Sequence, residues 1–301
     1  MSQSQWRGKG RAGRYLLYVR EITTTAGDFL FKSCFLALFV ALALSQTARA
    51  QTTDTLYTPR PLIKGADALL ILGFVAATAA AAPVDKYFTQ KLQDPARQSN
   101  KYLHNGAIFF RLIGDPGSLA VGGLTYGIGR LSGSRRAEDI GLHSVEAVLL
   151  SGAITGATKM IAGRARPYKD TANSLNFGLL RGLHGGSDYQ SFPSGHTTAA
   201  FAFATIVSAE TAHWWPGSKW PIGTIMYGGA ALTGVSRIYN EFHWASDVVA
   251  GAAIGTLTGI KVYRYTHSHP NNRVDKYFLR AGVSISPQSG WMPLLSVGPR
   301  L

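Results

Sequence analysis

Apolar segments recur along the chain at roughly 68–84, 106–114, 117–130, 140–162, 197–212, 220–235 and 245–263, each closed by charged residues or by Gly and Pro. They are long and Ala-rich, with little β-branched alternation, which predicts helices packed as an all-α bundle of about six core helices. The end of the chain reads differently. Phe278, Arg280, Gly282, Ser284 and Ser286 alternate with Leu279, Ala281, Val283 and Ile285, and Pro287-Gln288-Ser289-Gly290 offers a turn. That pattern predicts a small terminal β-hairpin. No internal repeat is visible.

The amino terminus predicts export. A basic stretch leads into the apolar run Ser33–Leu44, followed by Ala48-Arg49-Ala50, the small-residue pattern that signal peptidase needs. Residues 1–50 are therefore read as a signal peptide or uncleaved anchor, 51–65 as a linker, 66–265 as the helical domain and 266–301 as a tail. Among the apolar segments, 68–84 and 220–236 lie within runs free of charge. Each is at or under the length of a clean span, so a soluble body and a membrane-embedded one both fit.

Composition narrows the classes. With 46% hydrophobic and 15% charged residues the chain is neither disordered nor a typical soluble protein. Its one cysteine, Cys34, excludes an internal disulfide. The net charge of +14 invites a nucleic-acid reading, but the first fifty residues carry +5 of it and the rest is scattered. No groove-reading motif accompanies it, so no nucleic-acid partner is expected; an anionic substrate or an anionic lipid surface suits the charge.

Three separated blocks carry chemistry. In Lys159-Met160-Ile161-Ala162-Gly163-Arg164-Ala165-Arg166-Pro167, two helical turns separate Lys159 from Arg166, predicting two cations on one helix face, suited to a tetrahedral dianion. Ser191-Phe192-Pro193-Ser194-Gly195-His196-Thr197-Thr198 opens a helix, whose N-terminal N–H groups bind phosphate; Gly195 permits close approach and Ser194 adds a hydroxyl. In the third block, Ser236–Asp247, Arg237 adds a cation. His243 and Asp247 stand four residues apart, predicting a carboxylate that holds one imidazole nitrogen and leaves the other as an oriented lone pair.

Eleven positions in these blocks (Lys159, Arg166, Pro167, Pro193, Ser194, Gly195, His196, Ser236, Arg237, His243 and Asp247) resemble the signature of the type-2 phosphatidic acid phosphatase superfamily. That group also includes bacterial nonspecific acid phosphatases and vanadium-dependent haloperoxidases. The resemblance covers residues 65–265 and implies a helical bundle and, in the phosphatase branches, no catalytic metal or cofactor. It further implies that Lys159, Arg166, Arg237, Ser194 and Gly195 bind phosphate, that His243 attacks phosphorus to form a phosphohistidine oriented by Asp247, and that His196 is the general acid and base. The alternative within the superfamily is a haloperoxidase, in which His243 would ligate vanadate. Those proteins are much longer, with a wider gap between the histidine blocks than the short stretch from His196 to Ser236 here. A non-catalytic membrane or scaffold protein on the same fold is the other alternative, and an intact set of catalytic residue types argues against it.

The expected partner is a phosphorylated substrate, either a lipid such as phosphatidate or a polyprenyl pyrophosphate, or a small soluble monoester. The loop 168–192 is expected to rim the pocket, and its glycines (Gly178, Gly182, Gly185, Gly186) suggest either mobility or turns. Export places the protein in the cell envelope, inner-membrane-associated or periplasmic, with its site outside the cytoplasm. Counting 106–130 as a full span would instead put Lys159 and Arg166 inside. His267 and His269 suggest a metal but have no third ligand in sequence, and read as a solvated tail. His104, His143 and His213 have no partners recognisable in the sequence, and oligomeric state is unreadable.

Overall fold

The computed structural model describes residues 64–279 and the two segments 281–286 and 294–299. The signal or anchor segment and the linker lie outside the described residues. The helices are α1 (Gly65–Ala81), α2 (Asp85–Leu92), α3 (Pro95–Gln98), α4 (Lys101–Leu112), α5 (Ser118–Ser132), α6 (Arg135–Ala162), α7 (Arg181–His184), α8 (Gly195–Trp214), α9 (Lys219–Tyr239), α10 (Ala245–Ser268) and α11 (Arg273–Phe278). Strands β1 (Ala281–Ser286) and β2 (Leu294–Pro299) pair antiparallel, Ala281 opposite Pro299. The fold is an all-α bundle, as the pattern of apolar segments predicts.

Helix α8 is the axis of the bundle and packs against α6, α9 and α10. Small side chains make that possible. On α10, Gly251, Gly255 and Gly259 recur every four residues, and a Cβ on any of them would collide with α8 or the residue that caps it: Ser194 O, Thr198 O and Thr205 Cβ respectively. Two apolar clusters fill the seams, Ala147, Val148, Ala202, Ile206 and Val262 on one side, and Ala200, Phe201, Ala204, Ala230 and Ala252 on the other. Around this core, Asp67 of α1 pairs with Lys261 and Arg264 of α10, fixing the outer helix to the inner one. Between α4 and α5, Pro116 and the extended Asp115 (φ −154, ψ 123) break the helical path at Ile113–Gly117.

Four helical stretches are long and apolar enough to cross a bilayer: Gly65–Leu92, Lys101–Ser132, Arg135–Ala162 and Ala245–Ser268. They exceed the charge-free runs because charged residues fall inside them, near the ends in Gly65–Leu92 and Ala245–Ser268 but centrally in Lys101–Ser132 (Arg111, Asp115) and Arg135–Ala162 (Glu146). Leu69, Leu72 and Val75 of α1, Leu124, Ile128 and Leu131 of α5, and Leu149, Leu150 and Ile154 of α6 point outward. An apolar exterior of this extent belongs in lipid, and the body is membrane-associated.

Candidate active site

The three sequence blocks meet at one end of the bundle, where α6 ends and α8 and α10 begin. Helix α6 stops at Ala162 because Gly163 takes a left-handed conformation (φ 51), a C-cap open to glycine. A Cβ there would also strike the Gly178 carbonyl. Arg166 thus leaves from a loop, not from the face that carries Lys159. This corrects the expected two-turn alignment; the glycine between the two cations was its signal. The chain brings them together by another route. The Arg166 backbone donates to Asp188 O (2.9 Å) and its Nε to Ser187 O (2.7 Å), while Lys159 Nζ donates to Gln190 O (2.6 Å).

Loop 168–192 therefore rims the site, but it is wired in place. Arg181 reaches Gly163 O and Asn176, Gln190 Nε2 donates to Gly182 O (2.8 Å), and Gly182 packs on the backbone of Lys159 and Met160. Gly178, Gly182 and Gly185 serve close packing and Gly186 (φ 69) a turn, so of the two expectations for these glycines the structure favours turns over mobility.

Helix α8 starts at Gly195, where a Cβ would lie 3.7 Å from Lys159 Cε, an ordinary contact, so the helix N-terminus and the lysine face one another. Ser194 is fully buried, its backbone N–H donating to Asp247 O (3.0 Å) and its Oγ accepting from Thr197 (2.8 Å). Arg237 and Arg166 both lie over the Phe242 ring, 4.7 and 5.0 Å from its centroid. Arg237 is 3% exposed, yet its Nε and Nη1 have no hydrogen-bond partner. Buried guanidinium N–H groups without acceptors are costly, and an anion placed here would satisfy them.

His243 sits before α10, not on it; Ala245 is the first helical residue. Its Nδ1 lies 2.7 Å from Ser191 O and 3.7 Å from Asp247 Oδ2. A carbonyl only accepts, so Nδ1 carries the proton and Nε2 keeps a lone pair. The expected carboxylate–imidazole hydrogen bond is corrected here. The separation is too long for one, and the Ser191 carbonyl holds the tautomer instead. Asp247 is engaged elsewhere. It caps α10 through Trp244 N–H (2.9 Å), accepts from Ser191 Oγ (2.5 Å) and pairs with Arg164.

Arg164 escaped sequence reasoning although it lies inside the first block. It is 1% exposed and joins Asp247, Ser246 Oγ (2.7 Å), Asp85 Oδ2 (2.7 Å) and Ser174 O (2.9 Å). Asp85 in turn accepts from Ser246 N–H (2.7 Å). One guanidinium thus fastens α2, the 168–192 loop and the start of α10. A second missed group lies on α4: Arg111 bears electrostatically on both His196 and Arg237. The broken segment after it packs on His196, with Gly114 beside the His196 carbonyl and Cβ.

Electrostatics follow from this crowding. His243 is pushed down to about 3 by burial and by Lys159 and Arg166, against the opposing pull of Asp247. His196 is likewise pushed down to about 3 by burial and by Arg237, Arg111, Lys159 and Arg166. Burial also lowers Arg166. Both imidazoles are neutral at pH 7 until an anion offsets the surrounding cations.

Residues 141–270 match the family model of the PAP2 superfamily. Among curated relatives, a lipid A 1-phosphatase of Porphyromonas gingivalis is 40% identical over 111 residues, covering 36% of this chain and 20% of the relative. A lipid phosphate phosphatase 1 of Arabidopsis thaliana is 32% identical over 142 residues, covering 41% of this chain and 43% of the relative. The chain thus spans less than half the length of these relatives. The crystal structure of a transmembrane PAP2 type phosphatidylglycerolphosphate phosphatase from Bacillus subtilis shares the fold, with a TM-score of 0.51 at 20% identity over 68% of this chain and 97% of that one. Bundle, motif blocks and family match coincide between α6 and α10, and it is over that segment that the chain is similar to the PAP2 superfamily.

Proposed function

We propose that this protein is a lipid phosphate phosphatase working through a phosphohistidine. The observation that carries the reading is the buried Arg237 with two unpartnered guanidinium nitrogens, over the same ring as Arg166 and within electrostatic reach of Lys159, in a cluster where His243 keeps an Nε2 lone pair. The apolar exterior argues for a substrate drawn from the bilayer, as do the names of the curated relatives.

In this reading Lys159, Arg166, Arg237 and the α8 N-terminus at Gly195 hold the phosphoryl oxygens, with Ser194 beneath them, and balance the charge that moves onto them. His243 Nε2 attacks phosphorus as the P–O ester bond breaks, and His196 gives its proton to the departing oxygen. The dianion bound among the cations is what raises the His196 pKa enough for it to hold that proton. Water then attacks phosphorus as His196 takes its proton, the P–N bond breaks with its electron pair returning to His243 Nε2, and inorganic phosphate leaves. Asp247, behind His243, stabilises the positive ring of the intermediate. The export pattern at the amino terminus argues for a site facing away from the cytoplasm.

The test is phosphate release by detergent-purified protein from phosphatidate, a polyprenyl pyrophosphate, a lipid A-type glycolipid 1-phosphate and a soluble monoester. Turnover of at least one lipid, with an acid-labile, base-stable phosphoenzyme that His243→Ala abolishes, is the expected result. Turnover surviving in His243→Ala overturns the proposal, as does activity confined to the soluble ester. Bromide oxidation on added vanadate would favour the haloperoxidase chemistry.

A further inference from the structure

A second cluster of ionisable side chains lies at the far end of the bundle. His143 precedes Lys159 on α6 by more than four turns, about 24 Å along the helix axis. Glu210 stands near the end of α8 and His267 near the end of α10. His143 Nδ1 lies 2.6 Å and His267 Nε2 3.0 Å from the same oxygen, Glu210 Oε1. The three prospective donor atoms all fall within 4.8 Å of one another. The expectation that His267 has no third ligand fails because its companions come from two other helices. His143 and Glu210 are 3% and 0% exposed.

The surroundings of this triad have the features of a metal centre. The other His143 nitrogen, Nε2, faces Asp275 Oδ1 of α11 at 3.5 Å, the carboxylate–imidazole relation that orients metal-bound histidines. Glu210 Oε2, His143 Nε2 and Asp275 Oδ1 are buried with no hydrogen-bond partner. A purely protonic cluster can place a proton between His143 Nε2 and Asp275 but leaves Glu210 Oε2 unsatisfied. A divalent ion would accept the Glu210 carboxylate and both imidazoles, and its charge would balance Glu210 together with Asp275. Two imidazoles and one carboxylate, without thiolate, are the donor set of zinc-like ions and not of magnesium or calcium.

We propose that His143, Glu210 and His267 bind one divalent transition-metal ion, with Asp275 orienting His143, and that this ion clamps α6, α8, α10 and α11 together. The separation of about 24 Å along α6 from Lys159 makes the ion a structural clamp and not a participant in phosphoryl transfer.

The test uses the full chain, purified in detergent with a tag free of histidine and stripped with a chelator. One equivalent of cobalt(II) should give the visible absorption of a low-coordinate N/O site, displaced by zinc. Elemental analysis after gel filtration should find one zinc per chain, with a raised unfolding temperature. His267→Asn, on the most exposed of the three ligands, should weaken zinc binding at least about 100-fold, and Asp275→Asn about 10–100-fold. His243→Ala should bind as the parent does, which separates this centre from the phosphate site. Wild-type protein without stoichiometric metal and without a cobalt spectrum overturns the proposal. So does His267→Asn that binds zinc with parental affinity.

Discussion

Asp247→Asn separates two roles that the geometry assigns to one side chain. The carboxylate is 3.7 Å from His243 Nδ1, too long to hold the tautomer, which Ser191 O holds instead. Its catalytic part is therefore electrostatic. When His243 Nε2 bonds to phosphorus the ring becomes a cation, and a unit charge about 4 Å away contributes about 4 kcal/mol at an effective dielectric of about 20. Removing it should lower kcat about 10³-fold with little change in KM, since Asp247 touches no part of the substrate. Its structural part is the cap on Trp244 N–H and the pairing with Arg164, both buried. Breaking such a pair costs about 3–5 kcal/mol, softened here because Arg164 retains Asp85. The assays are steady-state phosphate release and thermal unfolding in the same detergent. A folded Asp247→Asn protein with kcat within tenfold of the parent would refute the electrostatic role and leave Asp247 a helix cap only.

Three more perturbations probe the same site. Arg164→Lys should lower stability by about 3–5 kcal/mol, because an ammonium cannot serve Asp85, Ser246, Asp247 and Ser174 O at once; an unfolding temperature equal to the parent's would contradict this. Gly255→Leu should destabilise by more than about 1–3 kcal/mol, since even its Cβ meets Thr198 O and Ala202 N of α8, and thermal unfolding again reads the result. Sulfate, a dianion throughout, should bind more tightly as pH falls from about 7 to 5. The sign follows from His196, held at about 3 in the free pocket and raised when an anion offsets the cations, so that binding takes up a proton. Calorimetry should show that uptake in the parent and lose it in His196→Asn; affinity flat with pH would refute it.

The residue types of the site were legible because anion chemistry restricts them: cations, a glycine at a helix start, two histidines. The helix starting at Gly195 was legible for the same reason, since Pro, Ser and Gly before an Ala-rich run leave few alternatives. What failed were inferences that extended helical geometry past its end. Lys159 and Arg166 have the spacing of one helix face, and His243 and Asp247 that of one helical turn. Yet Gly163 ends α6 before Arg166, and Trp244 caps α10 after His243. Residue spacing implies a common face only inside a continuous helix. Arg164 and the cluster at His143 were illegible for a different reason. Their partners, Asp85, Asp247, Glu210 and Asp275, lie far off in the sequence on other helices, and such encounters are set by packing.

On the proposed phosphatase reading, the location of the negative charges explains why this site would take an anion. Asp247, the buried acid nearest the cations, is committed to Arg164, whose guanidinium also serves Asp85. Arg164 thus absorbs carboxylates that would otherwise pair with Lys159, Arg166 or Arg237. Those three cations are left on carbonyls, on the Phe242 ring or without any partner. Neutral acceptors satisfy hydrogen bonds but leave the charge unbalanced, so the repulsion among the cations persists until a ligand brings negative charge. The same field holds His196 and His243 neutral beforehand. Binding of the dianion therefore relieves the repulsion, permits His196 to take its proton and leaves the His243 lone pair free. The inner arginine keeps the outer ones available to the substrate.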